Sequence, residues 1–172
     1  MKNILIKKDT EADAEAIIKY LNIVGGESDN LLFGKNEFYM TIEEEQEFIK
    51  EFNGSLNSVM LLAKDNEDIV SIGSLSGFGR KRISHRGELA ISVKKDYWNK
   101  GVGSAMLKEL IQFGKEKAKL SVIQLTVKAD NERAIHTYKK FGFKQIGYYE
   151  KFFLINGKYF DACLMNLYLD QY

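Results

Sequence analysis

The segment from Ile91 to Leu107 constrains this chain more than any other part of its sequence. It runs from a short apolar strand through a polar turn into an amphipathic helix, and Gly101 and Gly103 fall where that helix begins. The first turn of a helix has backbone N–H groups without intrahelical partners and the positive end of the dipole. Glycine lets phosphate oxygens reach these amides without a Cβ in the way. The segment therefore predicts a phosphate or pyrophosphate site, although a tight turn without a ligand fits the two glycines equally well.

Two common nucleotide-binding motifs do not fit this turn. A dinucleotide-binding fingerprint would need a third glycine where the chain has Met106. A Walker A loop would need Gly-Lys-Ser/Thr, whereas Gly103 is followed by Ser104 and Ala105. The ligand must therefore be identified from the rest of the chain.

Composition and charge narrow the class of protein. The chain has 172 residues, 45% of them apolar and 28% charged, which predicts one globular domain spanning 1–172. Lys and Arg (25) nearly balance Asp and Glu (24), so net charge favours neither nucleic acid nor an anionic membrane as a partner. We see no secretory signal and no apolar run near the roughly 20 residues that span a bilayer. The single Cys163 excludes an internal disulfide and a cysteine-based zinc site, so we expect a cytoplasmic protein.

Hydrophobic periodicity and turn residues predict the element order β-α-α-β-β-β-α-β-α-β-β. Predicted strands cover 3–8, 58–64, 69–78, 88–93, 122–127, 146–155 and 159–169, and predicted helices cover 10–23, 41–52, 102–116 and 131–141. This order indicates an α/β (α+β) chain with a mixed sheet flanked by helices, and a locally parallel strand pair around the third helix. Thr41 and Glu44 predict a capping box, and Asn156 with Gly157 predicts a tight hairpin turn.

A second group of candidate residues lies on the helix predicted at 131–141. Asn131 and Tyr138 are two helical turns apart, with Ala134 between them, so all three share one face. Polar side chains aligned with an apolar face need partners, because an unpartnered buried polar group is costly. They are candidates for a binding site; alternatively, Asn131 only caps the helix and Tyr138 is a core aromatic.

Two segments resemble motifs of one known family. The stretch from Val93 to Ala105 resembles motif A of the GCN5-related N-acetyltransferases (GNAT), and the stretch from Val127 to Phe143 resembles motif B. Both occur in the family's order and spacing, and the predicted element order is the family's over nearly the whole chain. The resemblance implies a GNAT-like fold with a mixed, centrally splayed β-sheet flanked by helices, and acetyl-CoA as the co-substrate. The chain resembles the branches that acetylate amino acids, phosphinothricin-type substrates and ribosomal-protein N-termini.

The resemblance also implies which residues hold acetyl-CoA. They are Ile91, Ser92 and Val93, whose backbone would pair with pantetheine; Asn99, Lys100, Gly101, Val102, Gly103 and Ser104, whose amides would wrap the pyrophosphate; and Ala105, packed beneath. Asn131 would hydrogen-bond pantetheine or order water beside it, with Ala134 on the same wall. The family usually has Gln or Arg three residues before the first glycine. This chain has Trp98 there, so we expect weakened or repositioned contacts to the pyrophosphate.

Two residues are candidates for proton transfer. By resemblance, Tyr138 would sit near the sulfur as general acid, and a tyrosine with a pKa of about 10 can protonate a thiolate with a pKa of about 8.5. Glu88 would deprotonate the amine, directly or through water, as a glutamate on this strand does in several GNAT enzymes. The alternative is a solvated strand-end carboxylate, with ordered water as the base. His85 and His136 lack companion ligands at usable spacing, so we expect no metal.

These expectations combine into a function. We expect an acetyl-CoA-dependent N-acetyltransferase that moves an acetyl group to the primary amine of a small molecule, an amino acid or related amine, by direct transfer in a ternary complex. A protein or peptide N-terminal acetyltransferase and a non-catalytic acyl-CoA-binding sensor are the alternatives. In this fold the loop at 25–34, with the acidic Glu27 and Asp29, and the aromatic terminal hairpin would form walls of the acceptor pocket. Homodimers are frequent in the family, and that hairpin would offer an interface.

Overall fold

Seven strands form one sheet, in the order β1-β2-β3-β4-β5-β7-β6, in the computed structural model, which describes residues 4–169. The elements are β1 Ile4–Lys8, α1 Ala14–Val24, α2 Ile42–Gly54, β2 Val59–Asp65, β3 Asp68–Gly77, β4 Arg86–Val93, α3 Val102–Glu116, β5 Val122–Lys128, α4 Glu132–Lys140, β6 Lys144–Ile155 and β7 Lys158–Tyr168. The predicted order and the mixed sheet flanked by helices are confirmed. Position 3 of the first predicted strand lies outside the described residues.

Element boundaries differ from the sequence prediction by a few residues. β4 begins two residues before its predicted start, and the helix predicted at 10–23 begins as a 3-10 turn that precedes α1. Asp13 fixes that turn by accepting hydrogen bonds from the Thr10 N–H at 3.0 Å and the Lys64 ammonium at 2.9 Å. Burial alone would raise the pKa of Asp13, but hydrogen bonds from Lys64, Lys7 and Thr10 hold it at about 2. The junction of β1, β2 and α1 is therefore ionised and paired at neutral pH.

The sheet opens at its centre, between β4 and β5. All neighbouring strands are antiparallel except this pair, which is parallel and is in register only from Arg86–Val122 to Glu88–Gln124. Beyond that point β4 stays paired with β3, and β5 with β7, while β4 and β5 separate. The edge of β4 over 89–93 therefore faces the opening with backbone groups that the sheet does not use. The predicted parallel pair and central splay are confirmed.

Apolar side chains fill both faces of the sheet beside this opening. α3 packs on one face, where Met106 and Leu110 are fully buried. α1 and α2 cover the other face through Ile17 and Ile49. Burying each such side chain contributes about 1.5–3 kcal/mol. The contact with α3 is close, because a Cβ added at Gly73 of β3 would lie 2.7 Å from the Met106 Cγ. The strands next to the opening are thus held firmly in place.

The helix α2 begins with the predicted capping box and then buries a carboxyl group. Thr41 Oγ1 accepts the Glu44 N–H at 3.2 Å, and the Glu44 carboxylate accepts the Thr41 N–H at 2.8 Å. The next residue, Glu45, is 1% exposed, and its Oε2 has no hydrogen-bond partner among the described residues. Burial, together with the negative charge of Asp9, raises the pKa of Glu45 to about 7. This group therefore keeps its proton in the folded protein at pH values where the unfolded chain loses it.

We expect the fold to lose stability as the pH rises through 7, and Glu45→Gln to remove much of that loss. Folding raises the pKa of Glu45 from 4.5 to about 7. The stability that this shift contributes is therefore complete below pH 4.5 and is lost as the pH rises through about 7. Between about pH 5 and 8, the free energy of unfolding should drop by about 1–3 kcal/mol more in the unsubstituted protein than in Glu45→Gln. Urea unfolding measures this, with the exposed Glu47→Gln as control. An equal drop in both proteins would contradict the assignment.

Candidate active site

A cavity of about 520 Å³ lies in the opening between β4 and β5. Its wall combines β4, the turn before α3, the start of α3, one face of α4, the loop between α1 and α2, and part of β6. Most residues predicted for the site line it, namely Glu88, Ile91, Ser92, Val93, Asn99, Gly101, Val102, Gly103, Ser104, Asn131, Ala134 and Tyr138. Lys100 and Ala105 are outside this lining. Residues from separate parts of the sequence therefore meet at one place.

The turn before α3 has the geometry of an anion-binding helix start. Asn99 and Gly101 have φ angles of +61° and +81°, and Gly101 is the N-cap of α3. The first helical hydrogen bond joins the Ala105 N–H to the Gly101 carbonyl at 3.0 Å. The amides of residues 102–104 precede that bond and have no acceptor within the helix. They are therefore donors for a ligand at this turn.

Glycine at position 103 is not required by the protein's own structure. A Cβ added to Gly103 would meet only the Val93 Cγ2, at an ordinary contact distance of 3.5 Å. Gly103 also lies within α3 without a positive φ, so its backbone conformation suits any residue. A ligand does explain it, because a Cβ would come between phosphate oxygens and the helix amides. This position favours a phosphate-binding role over a purely structural turn.

The backbone of β4 presents alternate residues to the opening. The Ser92 carbonyl accepts the Ser71 hydroxyl of β3 at 2.7 Å, so the backbone groups of Ser92 face β3. Ser92 Oγ also lies 3.0 Å from the hydroxyl of the buried Tyr20, which ties α1 to β4. Because a strand turns successive backbone groups to opposite edges, those of Ile91 and Val93 point away from β3. The backbone groups of Ile91 and the Val93 N–H therefore face the opening, whereas the Val93 carbonyl accepts the Trp98 indole N–H at 2.8 Å.

Asn131 serves as the N-cap of α4 and also lines the cavity. Its Oδ1 accepts the Ala134 N–H at 3.3 Å, so the cap considered as an alternative is present. The side-chain amide has separate donor and acceptor atoms, and the cap uses only the oxygen. The Nδ2 group is therefore available to a ligand in the cavity.

Tyr138 reaches the cavity from α4, two turns after Asn131. Its ring packs against Phe143, with centroids 5.7 Å apart and planes tilted by 56°. Burial raises the pKa of Tyr138 to about 12, because the charged phenolate would lose its hydration. The hydroxyl therefore stays protonated at neutral pH and can act as a hydrogen donor.

Glu88 lies where the two central strands begin to separate. It is opposite Ser76 of β3 and is the last β4 residue in register with β5, opposite Gln124. Glu88 is exposed and lines the cavity. A carboxylate in this position can accept a proton from an amine that enters from the open side. His85 and His136 are outside the cavity lining.

Several polar residues of the wall were not predicted. Ser74 and Ser76 of β3, Thr126 of β5 and Arg133 of α4 all line the cavity. Ser74 and Ser76 flank the fully buried Leu75, and this period of two in a strand places both serines on the open face. That signal was present in the sequence. Arg133 gave no comparable signal, because its guanidinium lies over the ring of Trp98, which is far away in the sequence.

The two expected acceptor walls contribute apolar groups rather than acidic ones. Their lining residues include Leu31, Leu32, Phe152 and Phe153. The Glu27 carboxylate instead accepts the Lys95 N–H at 2.7 Å and fixes the loop to the turn after β4. In the hairpin, Tyr148 donates to the Asp161 carboxylate at 2.9 Å. Glu27 and Asp29 are outside the cavity lining, so the acidic residues of this loop do not form part of the wall.

Residues 30–143 match the sequence model of the acetyltransferase (GNAT) family. The chain belongs to the GNAT family. An L-amino acid N-acetyltransferase of Escherichia coli strain K12 is 37% identical over 105 residues, which cover 61% of this chain and 65% of that protein. The matched segment thus spans less than two thirds of that curated relative.

Solved GNAT structures share the whole fold. A crystal structure of an acetyltransferase of the GNAT family from Streptococcus pneumoniae has a TM-score of 0.94 at 34% identity, covering 97% of this chain and 100% of that one. The structure of yncA from Salmonella typhimurium, with its cofactor acetyl-CoA, has a TM-score of 0.86 at 17% identity. It covers 99% of this chain and 96% of that one, and it shows likeness of fold alone.

Metal-ligand groups and membrane-spanning helices are absent from residues 4–169. Within that range no three His, Cys, Asp or Glu side chains come together as a metal-ligand group. No helix in the same range is long and apolar enough to cross a bilayer. Cys163 is buried on β7 opposite Val127 and is outside the cavity lining, as expected for a small core residue.

Proposed function

We propose that this chain is an acetyl-CoA-dependent N-acetyltransferase that moves an acetyl group to the primary amine of a small molecule, an amino acid or a related amine. The observation that carries the proposal is the cavity, where an anion-binding turn, an unpaired strand edge and two proton-transfer groups, Glu88 and Tyr138, meet. Membership of the GNAT family and similarity to a curated L-amino acid N-acetyltransferase support it.

The residues around the cavity fit acetyl-CoA. The amides of residues 102–104 and the open space at Gly103 suit a pyrophosphate group. The β4 edge at Ile91 and Val93 suits the amides of a pantetheine arm. When bound, acetyl-CoA supplies an acetyl group activated as a thioester. The proposed binding residues are those predicted from the sequence; Lys100 and Ala105 are outside the cavity lining, and the backbone carbonyl of Ser92 faces β3 instead of the opening.

Each proton-transfer group has one task in this proposal. Glu88 accepts a proton from the incoming ammonium group, directly or through a water, so that the neutral amine attacks the acetyl carbonyl. A backbone N–H on the open edge of β4, at Ile91 or Val93, donates to the acyl oxygen as negative charge develops. The Tyr138 hydroxyl gives its proton to the departing sulfur as the C–S bond breaks, and the phenolate regains a proton, through water, as the nitrogen of the new amide loses its extra one. Direct transfer is supported by the position of Cys163, which is buried outside the cavity lining.

The open face of β4 supports an acceptor that carries a carboxylate. Side chains alternate across a strand, so Arg86 lies on the same face as Glu88. Its guanidinium donates to Gln124 Oε1 of β5 and lies 5.9 Å from the Phe78 ring centroid. Arg86 is outside the cavity lining, but a cation two residues from Glu88 complements the carboxylate of a free amino acid whose ammonium group lies at Glu88. A polyamine lacks that carboxylate, so we place free amino acids first among the acceptors.

Calorimetry and a thiol-release assay test this function. We expect acetyl-CoA to bind roughly tenfold or more tightly than ATP or NAD. Thiol release should be faster with L-amino acids than with their decarboxylated amines, polyamines or N-terminal peptides. Tighter binding of ATP would contradict the proposed donor. Binding of acetyl-CoA without release for any amine would favour the non-catalytic sensor, and fastest release with peptides would favour the N-terminal acetyltransferase.

Three further expectations remain proposals. We propose that residues 1–172 form one domain, that the protein acts in the cytoplasm without nucleic-acid or membrane partners, and that it forms a homodimer. The homodimer is supported by exposed apolar side chains on the terminal hairpin, namely Ile146, Tyr148, Tyr149, Leu154 and Tyr159. Light scattering of the purified chain measures the oligomeric state, and a monomeric mass would contradict this last proposal.

A further inference from the structure

Trp98, the single tryptophan of the chain, is fixed against the end of β4. Its indole Nε1–H donates to the Val93 carbonyl at 2.8 Å, and the residue lines the cavity three positions before Gly101. An indole has only this one N–H donor. Trp98 therefore has no side-chain donor left for an anion at the glycine turn.

Arg133 places a cation on the face of that indole. Its guanidinium carbon lies 3.6 Å from the centroid of the Trp98 ring, and Arg133 lines the same cavity. It is the second residue of α4, two positions after the N-cap Asn131. The ion pairs found within residues 4–169 do not include Arg133. Its charge is therefore oriented by an aromatic face and is not neutralised by a carboxylate.

A guanidinium stacked in this way is suited to phosphate. When the planar face lies on an aromatic ring, the edges still carry N–H donors, which match two phosphate oxygens at once. Stacking also restricts the side chain, so less conformational entropy is lost on binding. The amides of residues 102–104 are donors to the same kind of ligand. Side-chain donors from α4 and backbone donors from α3 thus line one cavity beside the same turn.

We propose that Trp98 and Arg133 form a stacked pair that binds the pyrophosphate of the acyl-CoA donor. The indole orients the guanidinium, and the guanidinium contacts phosphate oxygens beside the backbone amides of the glycine turn. This inference rests on the proposed function, because it names part of the donor site. It also explains how the chain functions with Trp98 where a side-chain donor was expected: the donor comes from α4.

Emission from Trp98 tests the pair without any measurement of turnover. Because Trp98 is the only indole, its fluorescence reports on this site alone. The purified full chain is titrated with CoA, with dephospho-CoA, which lacks the 3′-phosphate, and with pantetheine, which lacks all phosphates. Arg133→Met keeps an aliphatic side chain and removes the charge. Lys140→Met, at an exposed cation near the end of α4, is the matched control.

We expect Arg133→Met to weaken binding of CoA and dephospho-CoA alike, by about 10- to 100-fold. Binding of pantetheine should be unchanged, and Lys140→Met should bind all three ligands as the unsubstituted protein does. Arg133→Lys should restore only part of the affinity, because an ammonium group lacks the planar fork. By calorimetry, Trp98→Phe, which keeps an aromatic face, should lose less affinity for CoA than Trp98→Ala.

Three results would overturn the assignment. Unchanged CoA binding in Arg133→Met would remove the pair from the donor site. A loss that disappears with dephospho-CoA would assign Arg133 to the 3′-phosphate. An equal loss with pantetheine would indicate a general distortion of the cavity, and urea unfolding of each variant checks for this independently. These results are distinct from failure of the proposed function. In that case the unsubstituted protein would bind CoA no more tightly than ATP.

Discussion

Tyr138→Phe is expected to lower kcat about 100-fold while leaving the affinity for CoA nearly unchanged. Tyr138 lines the cavity, and its ring packs on Phe143 with centroids 5.7 Å apart. Phenylalanine keeps that packing and removes only the hydroxyl. A positioned general acid contributes about 10²- to 10⁴-fold in rate, whereas a residue that only packs in the core contributes nothing to proton transfer.

The pH profile gives a second test of Tyr138. Burial raises the pKa of Tyr138 to about 12, so the hydroxyl keeps its proton well above the usual tyrosine pKa of about 10. The kcat of the unsubstituted protein should therefore not fall between about pH 8 and 10.5. Tyr148→Phe is the matched control, because its hydroxyl donates to Asp161 outside the cavity lining, and it should keep full kcat. An unchanged kcat in Tyr138→Phe would remove this residue from the mechanism.

Glu88→Gln is expected to lower kcat/KM about 100-fold at neutral pH and to change the shape of the pH profile. An amide cannot accept the proton of the incoming ammonium group, so the variant depends on acceptor that is already neutral. That neutral fraction rises about tenfold per pH unit until the pH reaches the amine's own pKa. The gap between Glu88→Gln and the unsubstituted protein should therefore narrow steadily as the pH rises.

Initial rates from about pH 6.5 to 9.5 measure this difference. Glu109→Gln, at an exposed carboxylate on α3, is the matched control and should follow the unsubstituted protein at every pH. A Glu88→Gln profile that runs parallel to that of the unsubstituted protein would contradict the role of Glu88. In that case ordered water would be the base, the alternative that the sequence left open.

The parts of the site with local signals could be predicted from the sequence. Gly101 and Gly103 stand at the start of an amphipathic helix, and Asn131 and Tyr138 are spaced by two turns of another. Helix starts and helix faces depend on neighbouring residues, so short-range patterns are enough to locate them. The order of elements along the chain and the parallel pair followed from the alternation of strands and helices.

The remaining features depend on residues that are far apart in the chain. The stack of Arg133 on Trp98 requires the start of α4 to lie beside the turn before α3. The Glu27 carboxylate meets Lys95 only because the loop after α1 folds over the end of β4. No periodicity or turn motif encodes such contacts, since they arise from the packing of whole elements. The central splay was expected only from the family resemblance, because it depends on where strand pairing stops.

Glu45 shows how a local pattern can mislead about environment. As an acidic residue in the first turn of a capped helix, it has the pattern of a solvated carboxylate near a helix N-terminus. In the structure α2 packs against α1 and β2, and this side chain is 1% exposed. The helix was predicted, but the face that it buries depends on tertiary packing.

Transfer of a labelled acetyl group to an identified amine tests the central claim most directly. The purified full chain is incubated with acetyl-CoA, labelled in its acetyl group, and a mixture of L-amino acids, and products are identified by mass spectrometry. The predicted result is an N-acetylated amino acid formed in equal amount with free CoA thiol, with both lowered about 100-fold in Tyr138→Phe. Release of thiol without any labelled N-acetyl product, or binding of acetyl-CoA without transfer to any amine, would contradict the proposed acetyltransferase.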